Sequence, residues 1–178
     1  MQDYIIQDSY ESPCGRLILC SYKDKLYLCE WESGKSMERH LTRLKKLLQT
    51  DIQVGTSAVM ERAKKQLHEY FTRQRRSFSV PYKLTGTEFQ KMVWSSLANI
   101  SYGKTISYGE QARRLGMPSS VRAVANANGA NPISIILPCH RVVGSDNRLT
   151  GYGGGLEAKR FLLDLEIGAT HFRKKQEK

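Results

Sequence analysis

The chain has 178 residues, enough for one domain or two small ones around a real hydrophobic core. No apolar run reaches membrane-spanning length, and Met1-Gln2-Asp3-Tyr4 does not open a signal peptide, so we expect a cytoplasmic protein without a membrane anchor. Lysine and arginine outnumber aspartate and glutamate by 28 to 17, a net charge of +11 that favours a polyanionic partner without separating DNA from RNA or an anionic membrane.

Residues 1–84 read as a small α/β domain. Stretches 15–22 and 25–31 are predicted strands joined by the polar turn Lys23-Asp24. Met37, Leu41, Leu44 and Leu48 recur at helical spacing, and Met60, Ala63, Leu67, Tyr70 and Phe71 mark a second amphipathic helix. The run Arg73-Gln74-Arg75-Arg76 reads as a solvated basic helix end. Pro81 marks a linker or a strand edge. The four cysteines, Cys14, Cys20, Cys29 and Cys139, have poor zinc spacing. The first three fall in or beside strand-like segments and are expected to be small buried apolar residues. No metal and no cofactor are expected.

The character changes at Gly86, and residues 85–170 read as a second domain. Thr87-Glu88-Phe89-Gln90 is a capping-box pattern, after which Phe89, Val93, Trp94 and Leu97 form one apolar helix face. Tyr102-Gly103-Lys104 is a turn. Ser107-Tyr108-Gly109-Glu110 is another capping-box pattern and opens a short helix that Gly116 stops. A further helix begins after Pro118, with Val121, Val124 and Ala125 expected to face inward. Together, residues 107–128 have the pattern of a helix-turn-helix, or of an ordinary αα-hairpin within a core. The second helix carries Arg122 and otherwise small residues, among them Ala123, Ala127 and Asn128. Such a surface allows close backbone approach but few base contacts, so weak sequence specificity is expected. The tail 171–178 is basic and predicted to be disordered.

Chemistry concentrates in Pro138-Cys139-His140-Arg141-Val142, at what reads as the end of an apolar strand. Cysteine attacks as the thiolate, so an adjacent base or cation makes it reactive. Asn131 reads as a turn residue or as a brace for the loop leading to Cys139. Gly151-Tyr152-Gly153-Gly154-Gly155 lacks the Gly-Lys-Ser/Thr of a P-loop, which leaves a flexible surface loop or a cradle closing on a flat ligand. Ala158, Phe161, Leu162 and Leu165 outline a last helix. Glu166 at its C-terminal end opposes the helix dipole, which points to another task, such as accepting a hydrogen bond from a histidine.

These blocks resemble the O6-alkylguanine-DNA alkyltransferases, closely over 86–168 and loosely before. The resemblance is carried by Gly86 to Gln90, Val93-Trp94, Tyr102-Gly103, Ser107-Tyr108, Arg122 to Val124, Ala127 to Gly129, Asn131-Pro132, Pro138 to Val142, Gly151-Tyr152 and Gly154 to Leu156. It implies a ribonuclease H-like α/β N-terminal domain, then a mainly helical domain with a winged helix-turn-helix-like motif. It also implies irreversible, single-use transfer of a methyl or larger alkyl group from O6-alkylguanine, less efficiently O4-alkylthymine, in double-stranded DNA.

In that scheme Cys139 accepts the alkyl group, His140 is the base through a bridging water, Glu166 orients His140, and Asn131 braces the turn. Tyr108 donates to the departing guanine. Arg122 fills the place of the extruded base, and Ala123 and Ala127 fit against the minor groove. Tyr152, Gly153 and Gly154 close over the base, with backbone groups near Cys139 and Val142 reading its edge. Gly153 stands where relatives can carry serine, which bears on the alkyl sizes accepted. Some bacterial relatives fuse a cysteine-rich regulatory domain in front, which a chain of 178 residues is expected to lack, and a monomer is expected. A DNA-binding module without chemistry conflicts with the presence of Cys139, and a cysteine hydrolase or a plain transcriptional regulator leaves either the helix-turn-helix or the Pro-Cys-His-Arg segment unexplained.

Overall fold

The computed structural model describes residues 3–168. The chain forms two compact units, one comprising Met1–Thr85 with Pro132–Ile136, the other Gly86–Asn131 with Leu137–Lys178. The basic tail 171–178 lies outside the described residues.

The first unit is built on a four-stranded sheet in the order β3-β2-β1-β4. Strand β1 (Ile5–Ser12) pairs antiparallel with β2 (Gly15–Tyr22), β2 antiparallel with β3 (Lys25–Trp31), and β1 parallel with the short β4 (Ile52–Val54). The two strands expected from sequence form at the expected places. Their turn residues Lys23 and Asp24 both take positive φ, 44° and 63°, the twist a two-residue hairpin requires. Sequence reasoning missed β1 and β4. The alternation in β1 is blurred because most of its residues are half-buried on both faces. Helices α1 (Met37–Leu48) and α2 (Ala58–Phe71) follow the predicted periodicity. Met37 and Leu44 of α1 pack with Ile5, Ile18, Cys20 and Leu28 of the sheet. The free outer edge of β3 is covered by other segments. Leu26 N–H donates to the Pro81 carbonyl, and Cys29 exchanges backbone hydrogen bonds with Pro132 and Ser134. Pairing of this kind removes an exposed strand edge, and it settles Pro81 as a strand-edge residue.

The second unit opens with α3 (Glu88–Leu97), where the Thr87–Gln90 capping box forms in full. Helix α4 (Tyr108–Arg114) is capped by Ser107, whose hydroxyl accepts from Glu110 N–H, while the Glu110 carboxylate pairs with Arg113 and Arg114. Gly116, at φ +72°, turns the chain toward α5 (Val121–Gly129). The inward face of α5 is Val124, Ala127 and Asn128; Val121 is exposed and Ala125 half-buried, contrary to the sequence expectation. The difference is one of helix phase. The i, i+3, i+4 stripe from Val124 meets Val93 of α3 and Ala112 of α4. Asn128 and Gln111 exchange side-chain amide hydrogen bonds in this interface, so its polar groups are satisfied. A two-stranded parallel ladder, β5 (Ile106–Ser107) with β6 (Val142–Val143), and helix α6 (Leu156–Ile167) complete the unit.

Trp94 is fully buried, and its indole N–H donates to the Ala127 carbonyl at 2.7 Å. A Cβ on Gly86 would stand 2.6 Å from that ring. Gly86→Ala is therefore expected to destabilise the protein by about 1–3 kcal/mol through overpacking. Gly129→Ala, whose added Cβ meets nothing within 4 Å, should be neutral or mildly stabilising. Paired denaturant titrations check both.

Candidate active site

The segment from Asn131 to Val143 is buried throughout. The apolar run does not reach Cys139 as a continuous strand. Cys139–Arg141 form a single turn of 3-10 helix, with Arg141 N–H donating to the Pro138 carbonyl at 3.0 Å. Ile135 sits at φ +68°, a conformation uncommon for a β-branched residue and costing about 1–3 kcal/mol. Pro138, with ψ 65°, also leaves the extended region. Both interrupt the ladder that the apolar run would otherwise have built. Asn131 reaches across the loop, its side-chain N–H donating to the Leu137 carbonyl at 2.9 Å. Cys139 is 6% exposed, so any group it attacks must be brought into the protein surface.

His140 is fully buried, and its Nε2 lies 2.7 Å from Glu166 Oε1. The two residues are far apart in sequence and meet because α6 delivers Glu166 to the 3-10 turn. Arg141 grips the same carboxylate as a fork: Nε lies 2.9 Å from Oε2 and Nη2 lies 2.9 Å from Oε1. Its remaining amino group donates to the Ile100 carbonyl at 2.6 Å, and Gly103 N–H donates to Glu166 Oε2 at 3.1 Å. Burial works to raise the Glu166 pKa, but the His140 and Arg141 contacts outweigh it and hold the carboxyl well below the usual range. An ionised carboxylate only accepts, so the network assigns the proton on the neutral ring to Nε2 and the lone pair to Nδ1. Nδ1 is buried and makes no hydrogen bond within the described residues. Burial lowers the His140 pKa, with Glu166 opposing and Arg141 and Lys159 assisting. The outcome is a neutral imidazole with an open acceptor nitrogen, the form a general base needs.

A second buried charge lies nearby. Lys159 of α6 has no exposed surface. Its Nζ donates to the carbonyls of Val142 at 2.7 Å and Thr150 at 3.0 Å, and to the Tyr108 hydroxyl at 3.3 Å. Tyr108 in turn donates to the Thr150 carbonyl at 2.9 Å. Lys159 thus ties β6, the start of α4 and the glycine-rich loop together. Burial lowers its pKa to about 8, against an upward pull from Cys139. Burial also raises the Tyr108 pKa, keeping the phenol protonated. The stripe of α6 that faces inward is Ala158, Lys159, Leu162, Leu163 and Glu166, whereas the expected Phe161 is partly exposed and Leu165 half-buried.

The other expected residues are distributed as follows. Arg122 and Ala123 are exposed on α5, but Ala127 is buried against α3 and offers its side chain to the core. Val142 is buried, its carbonyl occupied by Lys159. Tyr152 stands edge-on to His140, with ring centroids 6.5 Å apart, and Gly153 and Gly154 are half-buried beside it in the loop. Sequence reasoning missed Lys159 and the clamp by Arg141. The available signal for Lys159 was its spacing: it lies three, four and seven residues before Leu162, Leu163 and Glu166, on one helix face. Among the described residues no group of three or more His, Cys, Asp or Glu side chains is placed to hold a metal ion.

Residues 88–168 match the family model of the 6-O-methylguanine DNA methyltransferase DNA-binding domain, and residues 5–84 match that of its ribonuclease-like domain. The chain belongs to the 6-O-methylguanine DNA methyltransferase family. Within it, the chain is 43% identical over 157 residues to the methylated-DNA–protein-cysteine methyltransferase of Methanosarcina acetivorans, covering 88% of this chain and 95% of that one. It is 42% identical to the Haemophilus influenzae protein of the same name, over 88% and 83% of the two chains. Among solved structures it is similar to the Mycobacterium tuberculosis enzyme in complex with DNA, with 40% identity, a TM-score of 0.79 and coverage of 92% and 93%. The methyltransferase fold, a ribonuclease-like sheet unit followed by a helical DNA-binding unit, accordingly describes this chain.

The lowered Lys159 pKa links stability to pH. Its contribution is complete above lysine's ordinary 10.5 and is lost as pH falls to about 8. Wild type should therefore gain up to about 3 kcal/mol relative to Lys159→Met across that interval, read by denaturant unfolding at a series of pH values. A constant difference between the two proteins would refute the burial of a charged lysine.

Proposed function

We propose that this protein repairs DNA by direct reversal, moving the alkyl group of O6-alkylguanine onto Cys139. The observation that carries the reading is a buried cysteine next to a neutral, carboxylate-held imidazole on one 3-10 turn, in the same unit as helices α4 and α5. Family membership supplies the substrate class.

In the proposed reaction the Cys139 proton passes, through a bridging water, toward Nδ1 of His140, the nitrogen Glu166 leaves open. The sulfur then attacks the alkyl carbon; an S–C bond forms, the C–O6 bond breaks, and its electron pair stays on guanine. Tyr108 turns from the Thr150 carbonyl and gives its hydroxyl hydrogen to the departing base, neutralising the purine anion. The Asn131 amide, held on the Leu137 carbonyl, braces the turn. The product is a thioether, which no side chain of the site can hydrolyse, so each molecule acts once.

A thiol this buried reaches its target only if the base leaves the duplex. Arg122, exposed on α5, is suited to fill the vacated stack because its flat cation stacks and pairs with neighbouring bases. Ala123 permits close approach to the minor groove, and with so few long side chains on α5 little sequence specificity is expected. The position of Tyr152 edge-on to His140 supports a role for Tyr152, Gly153 and Gly154 in covering the flipped base. The reading extends to larger alkyl groups and, less efficiently, O4-alkylthymine. The protein acts as a cytoplasmic monomer without cofactor; among its described residues no helix is long and apolar enough to cross a membrane.

Incubation with an oligonucleotide containing O6-methylguanine, followed by intact and peptide mass analysis, should show a single methyl group on the peptide bearing Cys139, with guanine restored. Methylation at Cys14, Cys20 or Cys29 instead would sink the site assignment. Extrusion costs a few kcal/mol, so Arg122→Ala should slow repair of duplex DNA far more than reaction with free O6-benzylguanine. Equal slowing of both would remove Arg122 from the stacking role.

A further inference from the structure

Arg141 is 6% exposed and has no role in the reaction described above. Its guanidinium is committed on every side. Nε and Nη2 take both oxygens of Glu166, Nη1 takes the Ile100 carbonyl, and the ring of Tyr102 lies 5.7 Å below its central carbon. Glu166 Oε1 is shared between Arg141 and His140. Two cationic partners therefore compete for one buried carboxylate, and only one of them is a permanent cation.

That competition has a definite consequence. A lone buried carboxylate 2.7 Å from an imidazole draws a proton onto the ring, because the ion pair is strong where water is excluded. A carboxylate already neutralised by a bidentate arginine draws far less. We propose that Arg141 is a positioning residue for alkyl transfer: by gripping both oxygens of Glu166 it leaves His140 uncharged and aimed through Nε2, so that Nδ1 is free to receive the Cys139 proton. The inference rests on the reading of His140 as the base.

The charged and titratable groups facing His140 come from several elements. Glu166 and Lys159 approach from α6, Cys139 and Arg141 flank it on the 3-10 turn, and Tyr152 approaches from the glycine-rich loop. Lys159 acts in the same sense as Arg141, favouring the neutral ring, with its ammonium donating to the Val142 and Thr150 carbonyls and the Tyr108 hydroxyl. The 28-over-17 cationic surplus is thus used internally as well as toward a polyanion.

The test follows His140 itself. In the full chain labelled at histidine, the ring nitrogen shifts of His140, assigned by their loss in His140→Gln, are recorded against pH without DNA. In Arg141→Met the midpoint of His140 is expected to rise by about one pH unit or more, and in Arg141→Lys by less, because a single ammonium cannot fork both oxygens. The acid limb of the methyl-transfer rate should move upward with it while the alkaline plateau is retained. If Arg141→Met does not fold, the Arg141→Lys shift alone decides. A His140 midpoint no higher than wild type in the folded variants overturns the proposal, even with alkyl transfer intact. Failure of wild type to take up methyl would instead overturn the reading of the reaction, leaving the His140 titration to stand or fall separately.

Discussion

The carboxylate of Glu166 is the point on which the candidate site depends. A bare carboxylate out of water costs several kcal/mol, so it must be surrounded by donors. Here they are His140, Arg141 and the backbone N–H of Gly103. They come from the 3-10 turn and from the turn after α3, while the acceptor comes from α6. Satisfying one charge therefore closes three distant parts of the sequence into one arrangement. Removing one partner leaves an uncompensated charge, which costs more than the hydrogen bond itself.

The site balances two buried charges in opposite ways. Glu166 is held by positive groups and N–H donors; Lys159 is held by carbonyls and a phenol. Neither charge is solvated, so both are fixed in direction before any substrate arrives. Preorganised charge of this kind acts without waiting for water to reorganise. It suits the proposed reaction, in which the site activates a thiol but never regenerates it.

Much of the fold was legible where local chemistry decides it. The Thr87–Gln90 box, the Lys23-Asp24 turn, Gly116 and the periodicities of α1, α2 and α3 are all settled within a few residues. Other elements were illegible for equally physical reasons. The apolar run before Cys139 has strand composition, yet Ile135 and Pro138 bend it into a 3-10 turn. The inward face of α5 depends on helix phase, which small residues such as Ala123, Ala125 and Ala127 do not reveal. Lys159 was overlooked because lysine is almost never fully buried unless paired, and its carbonyl partners are invisible in sequence.

The sequence by itself determined the reagents: a cysteine, a histidine and an arginine side by side, a glutamate badly placed for its own helix dipole, and an arginine on a helix of small residues. Those are matters of composition and short spacing. Tertiary structure decided which of them act on which. It turned His140 toward Glu166 through Nε2, gave the carboxylate to Arg141 as well, moved Ala127 into the core, and brought Lys159 beneath Tyr108 and the glycine-rich loop. The reason is that burial and hydrogen-bond competition are set by residues far apart in the chain, and only folding puts them within reach of one another.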